Sequence, residues 1–153
     1  MQTFVVMFLG IILGYKLATL TVILYLIEGS FGLPVFAKGG GIGYILGPTG
    51  GYLVGFIFTA FFAGHINENK DPIIVFLYLL FSVSIIYVLG LGGLWNYMGF
   101  DKTFNDVFSV GAKPFLLIEI YKILILTVLS KQLLRMEVMK KVEMVMYGFI
   151  LAL

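Results

Sequence analysis

Residues 46–66 read LGPTGGYLVGFIFTAFFAGHI, a proline and three glycines opening a run without Asp, Glu, Lys or Arg. About 20 predominantly apolar residues cross the hydrocarbon core of a bilayer as a helix, and 48–66 meets that length. Two more runs do so, 72–92 and 114–130. The whole chain agrees: of its 153 residues, 61% are hydrophobic and 12% charged, where soluble domains sit nearer 45–50% and ~25%. The expectation is an all-α membrane protein of a single transmembrane domain.

The first apolar stretch, 2–27, is interrupted at Gly14-Tyr15-Lys16. It is one long helix with a lysine inside it, or two short helices joined by a tight turn. A lysine at mid-membrane costs ~3 kcal/mol on insertion scales, which favours two helices, 2–13 and 17–29. The chain then forms a helical bundle of about five transmembrane helices. Its connections are 30–47, 67–71 (NENKD) and 93–113. Lys131, Arg135, Lys140 and Lys141 follow the last span, and cytoplasmic flanks are enriched in Lys and Arg. With the C-terminus cytoplasmic, Lys16 and Lys70 also fall inside, while Lys38, Lys102 and Lys113 fall outside. The two long loops then face outward together, an arrangement that suits capture of something from outside.

Several function classes are excluded. There is no cysteine and one histidine, His65, so no metal site of cysteines or several histidines exists. A net charge of +2, scattered along the chain, does not point to nucleic acid. No basic region precedes the first apolar run, so a cleaved signal peptide is not expected. Phosphate-binding glycine motifs, Ser/His/Asp sets and HExxH are absent, so the chain is not expected to be an enzyme or to hydrolyse ATP alone.

Gly47, Gly51, Gly55, Thr59 and Ala63 recur at every fourth position. On a helix they form a smooth stripe that lets a neighbouring helix approach closely, so Gly51, Gly55, Thr59 and Ala63 are read as helix-packing positions. The entrance Gly47-Pro48-Thr49-Gly50 reads differently, with proline at the first helical turn and glycine permitting a sharp turn before it. Residues 32–51 are apolar and glycine-rich together, which predicts a segment folded back as a lid or pocket wall. Within the strong spans only Glu119 and Lys122 are charged, and at i,i+3 they share a helix face. They are either a mutual salt bridge holding helices together or a polar patch in an apolar pocket, the usual make-up of small-molecule sites.

These residues resemble the BioY family, the biotin-binding S components of prokaryotic energy-coupling-factor transporters. The resemblance is carried by GLPVFA at 32–37 and LGPTGGYLVGF at 46–56. It continues at Gln2-Thr3, Tyr25-Leu26, Tyr87-Val88-Leu89-Gly90 with Trp95, and Pro114-Phe115 followed by Lys122. It covers roughly 2–134 and implies a transmembrane domain over 1–134 with a cytoplasmic or interfacial tail over 135–153. It implies biotin as ligand, capture from the outer side, toppling in the membrane to release it inside, and no cofactor. It also implies residence in the cell membrane, a transmembrane coupling subunit and two ABC-type ATPases. A ureido ring with two N–H donors and one carbonyl suits a carboxylate at Glu119 and an ammonium at Lys122. The candidate ligand-binding residues are Glu119, Lys122, Gly47, Pro48, Thr49, Gly50, Tyr52, Gln2, Lys38 and Trp95. For Tyr52 and Trp95 anchoring at the lipid interface is the competing role.

The sequence departs from the family pattern in three places. Glu119 stands where aspartate is usual. The family fold has six helices, and this chain begins at what would be the second, either through a misassigned start or through loss of the first. The tail EVMKKVEMVMYGFILAL (137–153) extends past the usual end, as an interfacial helix or as an unrelated extension. The alternatives to a biotin subunit are an S component for another small vitamin and a structural membrane protein without a ligand.

Overall fold

The computed structural model describes residues 1–37, 39–66, 71–99 and 101–135. Lys38, Lys70, most of the 67–71 connection and the tail beyond 135 lie outside the described residues, and with them the expectations placed there. Among the described residues six helices follow one another: α1 (Gln2–Ser30), α2 (Ile42–Ile45), α3 (Gly50–Ala63), α4 (Pro72–Met98), α5 (Phe104–Gly111) and α6 (Leu116–Arg135). Among the described residues there is no strand, only an isolated bridge between Phe36 and Gly39.

Helix α1 is not one rod. Gly14 has φ 72° and ψ 169°, a backbone region open essentially to glycine alone. The chain doubles back there. In a continuous helix Gln2 and Tyr25 would stand about 35 Å apart at 1.5 Å per residue, yet their side chains are hydrogen-bonded at 2.9 Å. The break falls at the interruption that the lysine argument selects. A Cβ at Gly14 would meet nothing within 4 Å, so Gly14→Ala is strained only through its backbone. A loss of about 1–3 kcal/mol is expected, seen as a lower melting temperature in detergent. Asparagine should not rescue it, because its preferred positive-φ conformation has a much smaller ψ.

Both arms of this hairpin pack on α3. One core gathers Val6, Leu13, Leu17 and Val22 from the arms around Leu53, Phe56 and Ala60. The α3–α4 contact is built from the small stripe. A Cβ on Gly55 would lie 2.7 Å from Ile86 Cα, and one on Gly51 would lie 3.0 Å from the Leu89 carbonyl carbon. One turn on, the fully buried Thr59 hydroxyl donates to Ser82 O at 2.8 Å. Ala63, one turn further on, belongs to a second core with Met7, Ile11, Leu79, Ile123 and Leu126. Gly47 precedes the helix and meets only its own turn, at Gly43 O and Tyr44 O.

Helix α6 is inverted relative to a helix in water. It exposes Leu117, Ile118, Tyr121, Leu124, Ile125 and Val128, and it buries Glu119, Lys122, Thr127 and Ser130. Helices of soluble domains turn their polar side outward, so an apolar outer face over a polar inner one fits a lipid surrounding. Helix α4 also presents Ile73, Leu77, Phe81 and Val88 outward and is long and apolar enough to cross a membrane. The protein is a helical membrane protein.

Three local expectations are corrected. Pro48 does not open α3. It follows Gly47 in a turn closed by Gly50 N–H donating to Gly47 O at 3.1 Å, with Thr49 at φ −98°, ψ −6°, the values of the third residue of a type I turn. The helix begins two residues later, at Gly50. Second, α4 runs through Gly92-Gly93 to Met98 instead of stopping near residue 92. The glycine penalty of about 1 kcal/mol each is offset where Gly93 nests against Gly51, 3.1 Å from its would-be Cβ. Third, 93–113 is not a plain loop, because α5 occupies its second half. Thr103 and Asp106 form a reciprocal capping box, and the Thr103 hydroxyl and N–H hold the Asp106 carboxyl below the usual carboxylate range.

The segment between α1 and α3 does fold back on the helices. Phe36 is buried at 4% exposure, edge-on to Tyr25 and stacked on Tyr44. Gly41 N–H closes the loop by donating to Gly29 O at 2.7 Å.

Candidate functional site

The hairpin brings the start of the chain to the start of α6. Thr3 Oγ1 lies 2.8 Å from Glu119 Oε1 and 3.0 Å from Oε2. Lys122 Nζ donates to Glu119 Oε1 and to Thr3 Oγ1, each at 2.8 Å. Glu119 and Lys122 are 5% and 9% exposed. Helical spacing explains why the pair forms: residues 119, 122, 123, 126, 127 and 130 fall on one face, the face turned inward. Tyr87 of α4 lies near Glu119, its hydroxyl within reach of the carboxylate's charge. Among the described residues no buried side-chain nitrogen or oxygen lacks a partner, as burial of charge requires.

Tyr52, one turn into α3, stands edge-on to Tyr87 with ring centroids 6.2 Å apart. Its hydroxyl donates to Gly111 O at 2.9 Å, which ties α3 to the end of α5. Gln2 turns away from the ion pair. Its Nε2 donates to Tyr25 Oη at 2.9 Å, and Tyr25 in turn donates to Val35 O of the folded-back segment at 3.2 Å. Trp95 Nε1 donates to Lys102 O at 3.1 Å, and its ring lies 6.0 Å from Phe104. Gly47, Pro48, Thr49 and Gly50 form the turn before α3, with Pro48 and Thr49 exposed and Gly50 buried.

Two cavities, each of about 340 Å³, lie at this end of the bundle. One sits between the arms of α1, lined by Gln2, Val6, Val22, Tyr25, Val35 and Phe56 among others. The other lies against α4 and α5, lined by Tyr87, Leu91, Trp95 and Phe104 with their neighbours. Glu119, Lys122 and Thr3 line neither cavity; Gln2, the neighbour of Thr3 in the chain, lines the first and Tyr87 lines the second. Each volume is at the small end of the range for ligand sites. The structure therefore joins Glu119, Lys122 and Thr3 in one polar centre, with Tyr52 linked towards it only by its ring contact with Tyr87 and Gln2 directed to Tyr25 instead. It sets Trp95 beside the second cavity and leaves Pro48 and Thr49 in an outer turn.

Of the polar members, Thr3 is only a weaker pocket candidate in the sequence, beside Gln2, and Tyr87 carries no site role there. Thr3 stood only as part of a matching segment, because a lone threonine near the chain start has no periodic signal until the hairpin is known. Tyr87 was legible as a hydroxyl inside an apolar run one turn before Gly90, where the small residues of α4 face α3.

The model of the BioY family matches residues 1–138. The probable biotin transporter BioY of Pyrococcus horikoshii is 37% identical over 134 residues, spanning 87% of this chain and 78% of that protein. The biotin transporter BioY of Thermotoga maritima is 37% identical over 140 residues, spanning 90% and 81%. A crystal structure of the S-component for biotin from an ECF-type ABC transporter has the same fold, with a TM-score of 0.76 at 24% identity over 88% of this chain and 74% of that one. With the family model covering most of its length and two relatives aligned along most of theirs, the chain belongs to the BioY family.

Proposed function

We propose that the chain is the substrate-binding membrane subunit for biotin uptake, taking biotin from the outer side and delivering it inward with an ATP-driven coupling module. The observation that carries this reading is the buried Glu119–Lys122 pair bridged by Thr3. A carboxylate accepts from the ureido N–H groups and an ammonium donates to the ureido carbonyl, and charge-assisted bonds of this kind are the stronger ones. The apolar walls of the two cavities at this end of the bundle suit the thiophane ring and the aliphatic tail. The family relatives named as biotin transporters support the ligand.

The five membrane-crossing segments in this reading are the two arms of α1 with α3, α4 and α6, and the domain they form spans 1–134. The partners are a transmembrane coupling subunit and two ABC-type ATPases, in the cell membrane, with the C-terminus cytoplasmic. The ligand-contacting set is Glu119, Lys122, Tyr52, Gln2 and Trp95, with the Gly47–Gly50 turn at its entrance. Isothermal titration of the purified protein in detergent tests the reading, with thiamine as comparator. Saturable binding of biotin and none of thiamine is expected; saturable binding of thiamine alone, or of neither, would overturn it.

A further inference from the structure

We propose that the Thr3 hydroxyl is an internal stand-in for the ligand's ureido group, and that it must leave the Glu119–Lys122 pair for biotin to bind. This deepens the biotin reading and rests on it. Thr3 Oγ1 touches both members of the directly paired Glu119 and Lys122, donating to the carboxylate and accepting from the ammonium, each at 2.8 Å. A urea edge does the same two things at once, N–H to carboxylate and carbonyl to ammonium. A ligand carboxylate does not qualify, because it has no proton to give Glu119. A hydroxyl with this double contact is therefore both a mimic and a competitor of a cyclic urea.

The contact also explains how occupancy is passed on. Thr3 sits on the first arm of α1, and its neighbour Gln2 donates to Tyr25, which donates to Val35 in the folded-back segment. Displacing Thr3 moves a residue whose neighbour holds that chain of hydrogen bonds. Departure of the hydroxyl is thereby coupled to the segment that covers this end of the bundle.

The sign of one substitution decides the matter. Thr3→Val keeps the shape and removes the oxygen, so Glu119 and Lys122 keep their direct contact but lose the hydroxyl, and the ligand no longer has to displace it. Biotin titrated by calorimetry into wild-type protein and T3V in the same detergent should bind the variant about three- to tenfold more tightly, the equivalent of one modest hydrogen bond. The melting temperature of T3V without biotin should fall, and biotin should raise it further than it raises that of the wild type. Thr3→Ala should give the same sign, and Thr3→Ser, which restores the oxygen, should rescue the wild-type values. Equal or weaker binding by T3V and T3A, with wild-type protein binding normally, would show Thr3 to be a ligand contact or a bystander and sink the proposal alone. Wild-type protein that fails to bind biotin would sink the functional reading with it.

Discussion

Replacing Lys122 by methionine is expected to lower biotin affinity by about a hundredfold and to destabilise the protein by about 3–5 kcal/mol. The two effects have different causes. The affinity loss follows from removing a charged donor, and hydrogen bonds to charged groups contribute about 1.5–3 kcal/mol, with every 1.4 kcal/mol worth a factor of ten. The stability loss follows from what remains. Glu119 is 5% exposed, and its charge would face Thr3 and Tyr87 without a cation. Removing one member of a buried pair leaves an uncompensated charge, whereas replacing both by neutral groups of similar size is often close to neutral. The double variant E119Q/K122M should therefore recover most of the melting temperature while binding no biotin. Thermal unfolding in detergent and calorimetric titration of the two variants separate the roles. If the double variant bound biotin as the wild type does, the pair would be purely architectural and the ligand site would lie elsewhere in the bundle.

The sequence foretold the bundle more fully than the site. Composition and three long apolar runs gave the class, and one lysine beside a glycine gave the hairpin. The reason is that burial energetics are local: Lys16 cannot sit in hydrocarbon, whatever packs around it. The Glu119–Lys122 pair was readable for the same reason, since both lie on one face of one helix. What stayed hidden depended on pairing between elements. Thr3 joins the pair across 116 residues of chain, through a reversal at Gly14 whose geometry fixes which arm faces α6. The extension of α4 past residue 92 was illegible because its two glycines argue for a break. Only the contact of Gly93 with Gly51 shows why none occurs. Helix α5, by contrast, was written in Thr103 and Asp106 as an N-terminal signature, and the glycine-rich flanks masked it.

The second large effect is expected at Gly51. Its would-be Cβ lies 3.0 Å from the Leu89 carbonyl carbon and 3.2 Å from Gly90 Cα, all rigid backbone of the neighbouring helix. Gly51→Ala therefore cannot be absorbed by a rotamer change and must push α3 away from α4. Overpacking of this sort costs about 1–3 kcal/mol and occasionally more, and the upper end is expected where only backbone can yield. Gly92→Ala is the contrast, for a Cβ there meets nothing within 4 Å. In a helix interior that change should stabilise by up to about 1 kcal/mol. The strain at Gly51 also reaches the site. Tyr52 is the next residue, its ring packs on Gly90 and stands edge-on to Tyr87, and Tyr87 lies near Glu119. Separating the two helices draws Tyr87 from the carboxylate, so G51A should weaken biotin binding as well as lower the melting temperature. Melting curves and biotin titrations of G51A and G92A in one detergent carry the comparison. A G51A protein as stable as wild type would mean that α3 and α4 do not meet backbone to backbone along the small stripe. One that melts early yet binds biotin normally would place Tyr87 outside the binding machinery.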